Sequence, residues 1–181
     1  MELKHSEIPV EFLRALPEGI KLVNRHGHEF LVVEELRSRK GTPLMSDSVR
    51  IHGEPSIRFG ARVGSSKGLI FIDSYWGSHA KLFSFVPENI TEADHVDAFV
   101  PETGESLMID RVCDVEGCGC TKGIEFVLPG GENTIQVCAR FGCPGHRISI
   151  SDLSKPVSDS ISGINFFGAG SLEDDWFDTL D

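Results

Sequence analysis

Arg111-Val112-Cys113-Asp114-Val115-Glu116-Gly117-Cys118-Gly119 is echoed downstream by Gln136-Val137-Cys138-Ala139-Arg140-Phe141-Gly142-Cys143-Pro144. Both stretches read Val-Cys-x-x-x-Gly-Cys, and each is followed by a glycine or a proline. Two thiolates that share one ion at about 2.3 Å per bond need a sharp bend in the chain between them. Gly117 and Gly142 supply that bend, because glycine alone enters left-handed backbone conformations without a steric penalty. Between the two turns lies a hairpin pattern: a strand over 124–128, the turn Pro129-Gly130-Gly131-Glu132-Asn133, and a strand over 134–138. A further strand is predicted over 147–150. Cysteine turns at either end of one hairpin bring four sulfurs together.

The order turn, hairpin, turn resembles a zinc ribbon over residues 97–151. The resemblance implies a structural zinc site held by Cys113, Cys118, Cys138 and Cys143, with all four positions closed by protein. Each pair here has four intervening residues where the common ribbon knuckle has two. Cys120 and His146 stand close enough in sequence to replace one ligand. Iron, or an iron–sulfur cluster, is the competing occupant, since four thiolates suit it too. The plain alternative is that the cysteines are small buried apolar side chains. Five of them within 113–143, four in matching turns, weigh against it. Upstream, Phe99-Val100-Pro101-Glu102-Thr103-Gly104-Glu105-Ser106-Leu107 resembles a knuckle of the form Cys-Pro-x-Cys-Gly-x-Ser-Leu, with Val100 and Thr103 at the cysteine positions. It reads equally as an ordinary turn before a strand.

The rest of the chain is expected to be mainly β with short terminal helices. Residues 6–16 read as a helix, with Ser6 as cap and Pro9 in its first turn. A hairpin follows, strands near 20–24 and 29–35, around His26-Gly27-His28, whose histidines read as solvated turn residues rather than ligands. Residues 37–55, polar and broken by Gly41, Pro43, Gly53 and Pro55, are expected to form a loop. Ile57, Phe59, Ala61 and Val63 alternate with polar or small residues, then turn through 64–68 into Leu69-Ile70-Phe71-Ile72. Another strand is predicted over 81–86, and a connector over 87–95, with a helical turn starting at Asn89 or Thr91. The organisation is therefore a β-rich part over 1–96, the cysteine module over 97–151, a Ser/Gly linker over 152–170, and an acidic–aromatic tail over 171–181.

Composition bounds the function. The formal net charge is −11, and residues 152–181 carry seven acidic side chains against Lys155 alone. Such a chain is repelled by phosphate backbones, so no nucleic-acid partner is expected. No apolar run approaches the ~20 residues a bilayer requires, so no membrane role is expected. The first residues lack a signal-peptide layout, and the clustered, odd-numbered cysteines fit a reducing compartment, so the expected location is cytoplasmic. No phosphate loop or Gly-x-Ser-x-Gly elbow is present. In the tail, Leu172, Trp176 and Leu180 recur every four residues with Phe177 beside them, an apolar stripe opposite acidic side chains. Eleven residues are too few for a stable isolated helix, so this stripe needs a surface to dock on, either in this protein or in a partner. Phe166-Phe167 is a possible extra anchor. The expected function is that of a non-enzymatic, zinc-binding accessory, assembly or regulatory protein whose tail engages a protein partner. The alternative is a metalloenzyme or iron–sulfur/redox protein that uses Cys120 or His146.

Overall fold

A computed structural model describes residues 8–25, 27–78, 80–88, 90 and 95–164. The fold is mainly β, as expected. Among the described residues, a helical turn α1 (Val10–Arg14) precedes the hairpin β1 (Ile20–Arg25) and β2 (His28–Val33). Then come β3 (Met45–Ile51), β4 (Glu54–Val63), β5 (Ser66–Ile72), β6 (Lys81–Phe83) and β7 (Asp97–Phe99). The cysteine-bearing half supplies β8 (Met108–Asp110), β9 (Lys122–Val127), β10 (Thr134–Cys138) and β11 (His146–Ser149), and α2 (Lys155–Ser162) follows. No described helix is long and apolar enough to cross a membrane.

Three antiparallel sheets result. β1 and β2 form a two-stranded ribbon; β3-β4-β5-β6 lie in that order, with β7 also on β4; and β11-β10-β9-β8 form a four-stranded sheet. The alternation read from Ile57, Phe59, Ala61 and Val63 is real, and all four side chains are buried. Their partners across the core are Ile124, Phe126 and Ile135 of the second sheet, with the Phe59 and Phe126 rings 5.6 Å apart. One hydrophobic cluster runs through both sheets and includes Phe30 and Leu31 of β2 and Ile161 of α2. Asp97–Phe99, placed by sequence in the cysteine module, pairs with Gly60–Arg62 of β4. Gly60 permits this contact, since a Cβ there would lie 2.4 Å from the Phe99 ring.

Several expectations are corrected. Residues 37–55 are not one long loop: Met45–Ile51 is a strand with a register shift between Ser46 and Arg50. The short turn to β4 runs through His52 and Gly53, both at positive φ. The Ser/Gly stretch expected to be a linker over 152–170 contains α2, which begins after Ser154 with a proline in its first turn and no side-chain cap. Its Ile161 is fully buried, and its last carbonyls are tied to the body by Trp76, whose Nε1 donates to the Ile161 oxygen at 2.8 Å. The first helix is shorter than expected, with Pro9 at its cap. Ser6, His26, the expected helical turn at Asn89 or Thr91, Phe166-Phe167 and the whole tail lie outside the described residues.

Candidate metal centre

The two cysteine turns are built by the same hydrogen bonds. In the first, the Cys118 amide donates to the Val115 oxygen at 3.1 Å, and the Cys113 amide donates to the Cys120 oxygen at 2.9 Å. In the second, Cys143 donates to Arg140 at 3.1 Å, and Cys138 donates to Gly145 at 2.8 Å. Gly117 and Gly142 sit at φ of 82° and 85°, the left-handed region their positions require. Each sulfur also receives the amide two residues further on. Val115 donates to Cys113 Sγ and Arg140 to Cys138 Sγ, both at 3.4 Å, while the Cys120 and Gly145 amides serve Cys118 and Cys143. Backbone donors aimed at sulfur favour the thiolate. The internal match seen in the sequence is thus a match of backbone geometry.

The hairpin β9–β10 and the strand β11 hold these turns together. The Sγ atoms of Cys113 and Cys143 are 3.8 Å apart, those of Cys118 and Cys138 are 3.7 Å apart, and all four lie within 4.8 Å of one another. A disulfide would need about 2 Å, so these are four separate thiols. A tetrahedral ion bound at about 2.3 Å sets its sulfurs roughly 3.8 Å apart. These two separations agree with that spacing, so the four residues fit a single bound metal ion. Among the described residues, this is the group of His, Cys, Asp or Glu side chains able to hold one.

The remaining sequence candidates are placed elsewhere. Cys120 is the counterpart of Gly145: its amide serves Cys118, and its own thiol turns to the Lys122 carbonyl at 3.4 Å. His146 Nδ1 lies 3.0 Å from the Pro144 oxygen and Nε2 lies 3.1 Å from the Ile164 oxygen, with the ring edge-on to Trp76 at 4.8 Å. It ties the second turn to the end of α2. The Val100–Gly104 stretch is a hairpin turn closed by the Gly104 amide on the Val100 oxygen at 2.7 Å, and Val100 is fully buried.

Without an ion, Cys118, Cys138 and Cys143 differ sharply in how readily they ionise. Burial works against the Cys118 thiolate, yet the Cys120 amide and the surrounding thiols together bring its pKa down from 9.0 to about 7. Burial and neighbouring sulfur then push Cys143 up to about 11 and Cys138 further still. One negative charge is easily formed and more are resisted, which is the electrostatic situation a cation relieves.

Two side chains that sequence reasoning missed complete the surroundings. Arg140 donates to the Cys118 carbonyl oxygen at 2.7 Å, bracing the second turn against the first. Its only signal in the sequence is that it stands where the first turn has Val115. Lys81, from β6, lies near Cys138 and Cys143, and crowding by neighbouring atoms lowers its pKa.

Comparison of the chain with protein-family models, with curated proteins and with solved structures found no match. The functional reading therefore rests on the geometry above.

Proposed function

We propose that the chain is a zinc-stapled, non-enzymatic accessory protein that acts through protein contacts made by its surface and its acidic–aromatic tail. The observation that supports this reading is the convergence of the Cys113, Cys118, Cys138 and Cys143 sulfurs within 4.8 Å of one another; four thiolates on one ion would close a tetrahedral site to water and substrate. Zinc is favoured because it takes four thiolates in a tetrahedron without redox chemistry. An iron–sulfur cluster would set its own iron and sulfide atoms between the thiolates and hold them further apart than these are. The excess negative charge fits a protein partner better than a nucleic acid. Leu172, Trp176, Phe177 and Leu180 are the side chains we assign to partner contact, with the neighbouring acids steering them toward a basic surface.

Metal analysis and affinity capture test the reading together. The purified protein is expected to be colourless with one zinc per chain, retained by Cys120→Ser and lost by Cys138→Ser. A visible iron chromophore would overturn the zinc assignment. Capture with intact protein and with Trp176→Ala/Phe177→Ala should recover a specific partner only with the intact tail. Equal recovery by both would remove the tail from the function.

A further inference from the structure

Cys113 Sγ lies 3.8 Å from Cys143 Sγ and Cys118 Sγ lies 3.7 Å from Cys138 Sγ, so each sulfur has a close neighbour in the opposite turn. The two pairs use all four thiols once, and both bracket the β9–β10 hairpin, as a shared ion does. Pairs within a turn, Cys113 with Cys118 or Cys138 with Cys143, would close only short loops and leave the turns unlinked. Protein contacts hold the sulfurs opposite one another: Arg140 donates to the Cys118 carbonyl at 2.7 Å, and the Ala139 amide donates to the Lys122 carbonyl at 3.1 Å. Around Gly117, Gly119 and Gly142 there is open space, so the turns have room to draw a sulfur pair together to the roughly 2 Å of a disulfide. The sulfurs are also reachable. All four cysteines are half-buried. A cavity of about 600 Å³ is lined by Cys113 and Cys138, and another of about 430 Å³, beside Lys81, is lined by Cys138 and Cys143.

We infer that the centre is a redox-exchangeable staple, in which hydrogen peroxide converts the four thiolates into the disulfides Cys113–Cys143 and Cys118–Cys138 and the metal ion is released. The inference rests on the metal reading proposed above and adds a regulated state of the same site. In each pair, one thiolate sulfur attacks a peroxide oxygen, breaks the O–O bond, becomes a sulfenic acid and expels hydroxide. The facing thiolate then attacks that sulfur, forms the S–S bond and expels a second hydroxide. Each pair thus gives two electrons to one peroxide molecule, and protons from solvent carry both oxygens away as water. Zinc takes no part in the electron transfer and leaves as the dication. Cys120 stays reduced, because its thiol faces the Lys122 carbonyl at 3.4 Å. Since both disulfides cross between the turns, the oxidised chain loses its metal and keeps its fold, whereas chelation under reducing conditions leaves the turns untied.

The test treats the full zinc-loaded chain with hydrogen peroxide and follows released zinc with a chromogenic chelator, free thiols by titration, and disulfide links by peptide mass spectrometry. Zinc release is expected to run in parallel with a fall in free thiols from the five of the reduced chain to Cys120 alone. Cleavage after Lys, Arg and Glu separates the ligands: Cys113 in 112–116, Cys118 with Cys120 in 117–122, Cys138 in 133–140 and Cys143 in 141–147. The expected links join 112–116 to 141–147 and 117–122 to 133–140, unchanged in Cys120→Ser, and a dithiol reductant with added zinc should restore the metal. Links within a turn, links through Cys120, or sulfinic acids in place of disulfides would overturn the inference. So would an oxidised chain that melts as low as the chelated, reduced one. A chain that never binds zinc removes the proposed function and this inference together; one that binds zinc and keeps it under excess peroxide removes this inference alone.

Discussion

Gly145 stands where any side chain would meet the metal centre. A Cβ built on it lies 2.8 Å from Cys113 Sγ and 3.3 Å from the Cys138 Cβ, and its amide serves Cys143. Gly145→Ala is therefore expected to force the two turns apart, weakening metal binding and costing about 1–3 kcal/mol of stability. Competition with a chromogenic chelator and thermal unfolding would measure the two effects. Cys120→Ala, at the equivalent place in the first turn, should be mild, since only the amide there serves the site. The thiols also set a pH dependence. Cys143 and Cys138 are held above their ordinary value of 9.0 in the folded state, so the stability they contribute is present below pH 9 and lost as pH rises toward about 11. Cys118 works in the opposite sense, its contribution fading as pH falls toward 7. Chelator-treated protein is thus expected to lose thermal stability between pH 9 and about 11, and metal-loaded protein to lose less, because bound thiolates no longer titrate. Parallel melting curves for the two forms across that range would refute the argument.

At the scale of elements, the attachment of α2 to the body is the contact most open to test. Trp76 donates to the Ile161 carbonyl, and Ser162 Oγ accepts from the Ile148 amide of β11 at 3.1 Å. Trp76→Phe keeps a ring against His146 but leaves the Ile161 carbonyl without its donor, a loss of about 1–3 kcal/mol. Hydrogen exchange should rise over 155–164 with little change in β9 and β10; uniform acceleration would mean that α2 is not a separable attachment. The sequence hid this helix because Lys155–Ser162 is rich in serine, which competes for backbone hydrogen bonds and lowers helix propensity. Ser154 followed by Pro156 was the available start signal. β3 was hidden for another reason: Met45–Ile51 has no clean alternation, because the shift between Ser46 and Arg50 breaks its register on β4. By contrast, the strands β4, β5, β9 and β10 were legible because alternation and turn residues agreed. The convergence of four cysteines was legible because hairpin and turns are local in sequence. Lys81 and the cavity it lines were not, since they depend on β6 meeting a turn encoded some sixty residues later.

For the whole molecule, the question is how far the metal centre's influence extends. The two sheets share a core through Phe59, Phe126, Ile124 and Ile135, and β7, just ahead of the cysteine half, is paired into the N-terminal sheet. Lys21 and Glu54, 2.9 Å apart, tie the β1–β2 ribbon to the start of β4. Separate sheets joined only by a linker would unfold independently, the metal-bearing one first when stripped. A shared core gives another result: loosening the cysteine turns removes support from Phe126 and hence from Phe59. Binding of a structural zinc ion by thiolate and imidazole ligands is worth about 10–16 kcal/mol in small peptides, comparable to the entire stability of a domain. Chelation is therefore expected to lower the unfolding temperature of the whole chain in a single transition, with the near-ultraviolet signal of buried Tyr75 and Trp76 lost together with the strand signal. Calorimetry decides the matter. Two transitions after chelation, one of them unmoved, would divide the molecule at the boundary near residue 96; one displaced transition would make the metal a staple for the entire fold.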